Sequence, residues 1–272
     1  MTMPGSTEVE DVFGSVLSIE QVDTDRYRGH PVWQDGRPIF GGEIAARALL
    51  AGGATVQADR HPHSFHSYFL RRGDSRRQID FVVDRDRDGR SFSSRRVTAV
   101  QDGEVLFTMA ASFRVETEGP EFDAGSTVPT VPPTECELIE SFLPLEVRAV
   151  DMPRRRQFFP TKFFVRCGDP MVGGPLRHAA ALAYMSDFST GLPRHLGGDI
   201  LGPSLDHSVW FHGVPKWEGW LWVDFEPAVV SGRRGWYSGA VIGSDGRRIA
   251  SIAQEMVYRP DRSSDQQERG EG

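Results

Sequence analysis

Cysteine is nearly missing from this chain: Cys136 and Cys167 are the only two, and no CxxC spacing joins them. Their scarcity excludes a disulfide framework and a thiolate metal site, and it fits a reducing compartment. Long apolar runs are missing too. No stretch reaches the roughly eighteen apolar residues of a membrane span, so none is expected. The opening MTMPGSTEVEDVFG has neither the basic nor the apolar region of a secretory signal. Positive charge is in deficit, with a formal net charge of −7, which argues against nucleic acid as a partner. GxGxxG, Walker A, HExxH and GxSxG signatures do not occur. The expectation is a cytoplasmic protein with no metal or other cofactor implied.

What is present is a pattern written twice. GRSFSSRRVTAVQDGEVLFTMAASF (Gly89–Phe113) superposes on GRRGWYSGAVIGSDGRRIASIAQEM (Gly232–Met256) with a shift of 143 residues, Asp102-Gly103 falling on Asp245-Gly246. Each reads as a β-hairpin, because an Asp-Gly pair between β-rich runs is a strong turn signal. Upstream, HSFHSYFLRRG (His63–Gly73) matches LDHSVWFHGVP (Leu205–Pro215), and Ala-rich helical patterns stand at Gly41–Gly53 and Gly173–Phe188. Each half is a helix followed by antiparallel strands. The expected organisation is one unit over 1–115, a Pro- and acid-rich linker over 116–156, a second unit over 157–259 and a disordered tail over 260–272. A central helix against an antiparallel sheet in each copy matches an α+β double hotdog.

The repeat also exposes an anomaly. In the final strand Ala250, Ile252, Gln254 and Met256 share one face, by the period of two. Their counterparts in the first copy, Phe107, Met109, Ala111 and Phe113, are all apolar. A buried amide without partners costs on the order of 1–3 kcal/mol, so Gln254 needs polar company. A hydrogen bond to backbone is the ordinary answer. A second answer lies in two other residues. Asp187 extends the helical stripe Ala179, Ala180, Ala183 and sits at the helix C-terminus, where the dipole disfavours its ionised form. Ser204 precedes the strand Leu205–Phe211. Either residue, taken alone, is more simply a helix end or turn chemistry. An acid, an amide and a hydroxyl together can hold and polarise a water for general-base hydrolysis of an activated electrophile such as a thioester.

Other groups point elsewhere or nowhere. His63 and His66 are three apart, and His207 and His212 five apart; a regular strand sends both pairs to opposite faces, so a histidine metal site is not expected. The run DRDRDGR (Asp84–Arg90) reads as a solvated hairpin face, and Arg71, Arg72, Arg95 and Arg96 are either ligand-phosphate contacts or ordinary surface charges, which the sequence does not separate. Five of the six tryptophans lie between Trp210 and Trp236 and read as sheet or subunit packing.

With these residues in place, the chain resembles the acyl-CoA thioesterase II family. The resemblance rests on IFGGEIAARALLA, HSFHSYFLRRGDS and RDGRSFSSRRVTAVQDGEVLFTMAASF in the first copy, and on YMSDF, SLDHSVWFH and DGRRIASIAQEMV in the second, over about residues 25–259. It implies hydrolysis of fatty acyl-CoA to fatty acid and CoA, with Asp187, Ser204 and Gln254 orienting the water. Ser204 stands where many bacterial members carry threonine. The first copy would build scaffold and tunnel, and Gly41-Gly42 would bring helix N-terminal N–H groups near a substrate oxygen. By analogy with the fold, a homo-oligomer is expected. Two rivals are a hotdog hydratase or dehydratase, with His195 eight residues after Asp187, and a non-catalytic acyl-CoA binding protein. The loop Ser189–Pro203 departs from the family in its glycine content.

Overall fold

The structure is a computed structural model and describes residues 13–125, 127–140, 144–150, 160–167, 171–188 and 202–257. The expected tail at 260–272 and most of the loop after Asp187 lie outside these residues. In chain order the elements are β1 (Glu20–Asp23), β2 (Arg26–Gly29), α1 (Gly41–Gly53), β3 (Arg60–Phe69), β4 (Ile79–Asp88), β5 (Phe92–Gln101), β6 (Glu104–Val115), β7 (Glu137–Ile139), β8 (Leu145–Ala149), β9 (Lys162–Cys167), α2 (Pro175–Ser186), β10 (Asp206–Phe211), β11 (Leu221–Ser231), β12 (Arg234–Ile242) and β13 (Arg248–Val257).

The strands form one sheet in the order β1-β2-β4-β5-β6-β3-β10-β13-β12-β11-β9-β8-β7. Read outward from the centre, β3-β6-β5-β4 on one side answers β10-β13-β12-β11 on the other. The two halves meet where β3 pairs antiparallel with β10, Phe65 opposite Val209. The hairpins fall where the repeat places them, but their turns differ. Asp102 and Gly103 both take positive φ, 52° and 83°, the geometry of a tight two-residue turn. The second hairpin uses a wider loop, closed by the Gly243 N–H donating to the Arg247 carbonyl at 2.8 Å.

The inner face of the sheet is apolar because the strand period of two puts alternate side chains there. Phe107, Met109, Ala111 and Phe113 on β6, and Ala250, Ile252, Gln254 and Met256 on β13, are all buried. Helix α1 lies against β3, β4, β5 and β6, and α2 against β3 and β10. The helices also pack on each other so closely that a Cβ on Gly53 would overlap the Leu176 side chain. Inside α1, Glu43 and Arg47 form a buried ion pair at 2.9 Å. Arg47 also donates to the Val16 and Ser15 carbonyls at 3.0 Å each, and Glu43 accepts the Val32 N–H at 3.1 Å. This network ties the N-terminal segment to the helix.

Three expectations need correction. The 116–156 span is not loop throughout: β7 and β8 add to the sheet there, and Leu145, Val147 and Ala149 alternate inward. That pattern is too short to stand out among prolines and acids. Next, a register shift between Pro62 and Ser64 reverses the alternation of β3. His63 then reaches Ser112 Oγ and His66 reaches Ser208 Oγ, so both point to the outer face. No metal-binding group of His, Cys, Asp or Glu occurs among the described residues. Finally, Arg95 is buried; it donates to Thr55 Oγ1 at 2.7 Å and to the Thr55 carbonyl at 3.1 Å. It braces the end of α1 and is no surface charge. The DRDRDGR run is exposed over Asp84–Asp88 as expected.

Candidate active site

Three elements deliver the three candidate residues to one place. Asp187 is the C-cap of α2, carried there by the buried stripe Ala179, Ala180 and Ala183. Ser204 precedes β10 and makes an isolated bridge to Met256 of β13. Its approach depends on Gly202, where a Cβ would overlap the Val257 carbonyl. Gln254 projects from the middle of β13 into the core at 1% relative exposure.

The contacts are direct. Gln254 Nε2 donates to Asp187 Oδ1 at 2.7 Å and lies 2.6 Å from Ser204 Oγ. Ser204 Oγ donates to the same Oδ1 at 3.1 Å. The acid, amide and hydroxyl singled out in the sequence therefore meet. Ala111, the counterpart of Gln254 in the first half, is buried too, and its registered partner on β5 is the buried Arg95.

The Gly41-Gly42 pair belongs to the same cluster, at the N-terminus of α1. A Cβ on Gly41 would stand 2.5 Å from Asp187 Oδ2 and 2.8 Å from the Phe69 ring. A Cβ on Gly42 would overlap the Tyr184 carbonyl. With neither side chain present, the helix end closes on the carboxylate, and the nearby Gly42 N–H favours its ionised form. Helix N-termini favour such an anion.

Burial pushes the Asp187 carboxyl up to about 6, and the hydrogen bonds from Gln254 and Ser204, with the nearby Gly42 N–H, hold it from rising further. The direction matches the expectation; the cause is chiefly lost solvation rather than the dipole of its own helix. A carboxylate near neutrality is both ionised at working pH and basic enough to take a proton. The cysteines offer no competing nucleophile: both are free, and burial pushes the Cys167 thiol up to about 12.

Gln254 is flanked on both sides by buried polar residues that the sequence reading passed over. Tyr237 of β12 is its registered partner. His207 of β10 is the next residue before Ser208, which pairs with Ala253. Both are fully buried, and His207 Nε2 lies 2.7 Å from Ser186 Oγ. The signal was available: His207 alternates with Val209 and Phe211, as Gln254 does with its apolar neighbours.

The chain matches known proteins over most of its length. Residues 30–114 match the model of an acyl-CoA thioesterase N-terminal domain, and residues 122–258 that of an acyl-CoA thioesterase C-terminal domain. The human acyl-coenzyme A thioesterase 8 is 33% identical over 281 residues, covering 90% of this chain and 88% of that protein. Among solved structures, an acyl-CoA thioesterase II from Mycobacterium marinum is 33% identical with a TM-score of 0.75, covering 92% of this chain and 98% of that one. A protein of unknown function with a hot dog fold from Alicyclobacillus acidocaldarius has the same TM-score at 21% identity, covering 92% of this chain and 98% of that one. It bears on the fold alone.

Proposed function

The chain belongs to the acyl-CoA thioesterase family and hydrolyses acyl-CoA thioesters, and from that premise we propose that Asp187, Ser204 and Gln254 carry the reaction on fatty acyl-CoA. The observation that supports this most is the convergence of Ser204 and Gln254 on Asp187 Oδ1. A water enters between the Asp187 carboxylate and the Gln254 and Ser204 groups now bonded to it, and takes over their contacts. Asp187 accepts a proton from this water, and the water oxygen attacks the thioester carbonyl. The Gly41 N–H, at the open end of α1, is the proposed donor to the carbonyl oxygen, with the Gly42 N–H turned to the Asp187 side of the helix end. Collapse of the tetrahedral intermediate expels the CoA thiolate. A free thiol is the weaker acid, with a pKa of roughly 8.5 against about 6 for Asp187, so the proton passes from the carboxyl to the sulfur. The base is then ready for another turnover.

The fold proposed for this chemistry is a double hotdog, two copies of a helix on an antiparallel sheet. The mirrored strand order about β3 and β10 supports it. The first copy, through residue 115, supplies the α1 end of the site; the second, from 157 to 259, supplies Asp187, Ser204 and Gln254. The proposal includes a homo-oligomer working in the cytoplasm. No described helix is long and apolar enough to cross a membrane, and half-exposed Trp210 and Trp236 lie on the outer sheet face.

Release of free thiol from palmitoyl-CoA, followed with a disulfide dye, tests the substrate class. Steady release supports hydrolysis. Tight binding of palmitoyl-CoA without release would favour the non-catalytic binding protein, and hydration of an enoyl-CoA would favour the hydratase. Against the hydratase, Gln254 would have no role in that reaction.

A further inference from the structure

Gln254 and His207 face each other across the sheet. The register that pairs Ser208 with Ala253 and Val209 with Ile252 makes His207 and Gln254 the next opposed pair. Both side chains point inward, at 0% and 1% relative exposure. Each has one end engaged: Gln254 Nε2 with Asp187 and Ser204, His207 Nε2 with Ser186. The other ends, Gln254 Oε1 and His207 Nδ1, are both buried and lack a standard hydrogen bond to any described residue.

An amide oxygen can only accept, whereas a neutral imidazole carries one N–H on either nitrogen. If His207 were protonated at Nε2, its Nδ1 lone pair would face the Gln254 oxygen, and two buried acceptors would oppose each other. If the amide were turned over instead, Gln254 Oε1 would face the Asp187 carboxylate, again acceptor against acceptor. One arrangement avoids both conflicts. We propose that His207, protonated at Nδ1, donates to Gln254 Oε1 and is the positioning residue that keeps the amide NH2 turned toward Asp187 and Ser204. The Ser186 hydroxyl, placed to donate to the Ala183 carbonyl at 3.0 Å, then turns its single proton from that carbonyl to His207 Nε2. Burial keeps the ring neutral, its pKa pulled down to about 3, with a hydrogen bond to Gln254 as the opposing influence. A neutral ring has a single N–H to place, so the tautomer decides the outcome.

The inference rests on the reading that Gln254 serves hydrolysis, but its first test does not. Nitrogen NMR of histidine-labelled wild-type protein without substrate, with the His207 signals assigned by through-bond correlation to its own backbone, reports which ring nitrogen holds the proton. The Nδ1–H form is expected; an Nε2–H form, or a charged ring at neutral pH, overturns the proposal and leaves the role of Asp187 untouched. The second test uses two variants. His207→Asn sets an amide N–H near the Nδ1 position and is expected to keep kcat within about threefold of wild type. His207→Gln reaches instead toward the Nε2 position and is expected to lose roughly tenfold in kcat with KM little changed. Equal losses in both folded variants would overturn the positioning role. Should neither variant fold, the wild-type tautomer still decides.

Discussion

Gln254 Nε2 stands 2.7 Å from Asp187 Oδ1, a contact between residues 67 positions apart. It joins the last strand to the end of helix α2, and so exists only in the assembled second half. Removing it strips a donor from the carboxylate and a guide from the attacking water. Gln254→Ala is expected to lower kcat by about ten- to a hundredfold, with a smaller change in KM. Steady-state kinetics on palmitoyl-CoA, with circular dichroism to confirm folding, checks this. A change confined to KM would assign Gln254 to binding alone.

The pH dependence follows from Asp187. Its carboxyl titrates at about 6 in the folded protein, and only the ionised form is a base. The expected kcat/KM profile is flat above about pH 7, bends near 6 and approaches a tenfold fall per pH unit below about pH 5. A profile flat down to pH 4.5 contradicts this assignment.

The same shift is a stability statement with a definite sign. The folded-state value, about 6, is raised above the ordinary 3.8, so the folded protein holds the proton more tightly than the unfolded chain does. The stability this contributes is complete below about pH 4 and is lost as pH rises through about 6, to an extent on the order of 3 kcal/mol. Asp187→Asn, which cannot ionise, is expected to be more stable than wild type at pH 8, with the advantage vanishing at pH 4. Denaturant unfolding at the two pH values measures it. Equal differences at both would show that burial does not penalise this carboxylate.

Gly41 leaves no room for a side chain. Gly41→Ala would set a Cβ 2.5 Å from Asp187 Oδ2 and 2.8 Å from the Phe69 ring, so the carboxylate must move. The expected result is a loss of at least tenfold in kcat, accompanied by a modest loss of stability. Full activity in this variant would mean that the α1 terminus yields easily and does not hold the base.

The buried Glu43–Arg47 pair supports the site from inside α1. Arg47→Leu leaves Glu43 as an uncompensated buried acid and is expected to cost about 3–5 kcal/mol. Replacing both with leucine is expected to cost less than the single change. Chemical denaturation of the three proteins tests the order, and a double variant worse than the single would contradict it.

Much of this arrangement was legible in the sequence because it breaks rules that can be checked internally. The repeat placed each hairpin, and Ala111 marked Gln254 as a residue the fold does not need. Asp187 showed itself by continuing an alanine stripe. His207 is equally legible as a polar residue on a buried face, whereas its spacing from His212 speaks only against a metal site. Other features were hidden for physical reasons. The register shift near Pro62 depends on strand pairing rather than local pattern, and it moved His63 to the face of His66. Strands β7 and β8 are too short to carry a periodic signal. The approach of α1 to Asp187 is a contact between the two halves, which no spacing within either half reports.

The central claim is that Asp187 is the base, and the most direct test is single-turnover hydrolysis of palmitoyl-CoA by Asp187→Asn beside wild type at pH 8. The substitution keeps the size of the side chain and removes its capacity to accept a proton. The account predicts a loss of about a hundredfold or more in the chemical step, with substrate binding retained. Hydrolysis at the wild-type rate by a folded Asp187→Asn protein would contradict it.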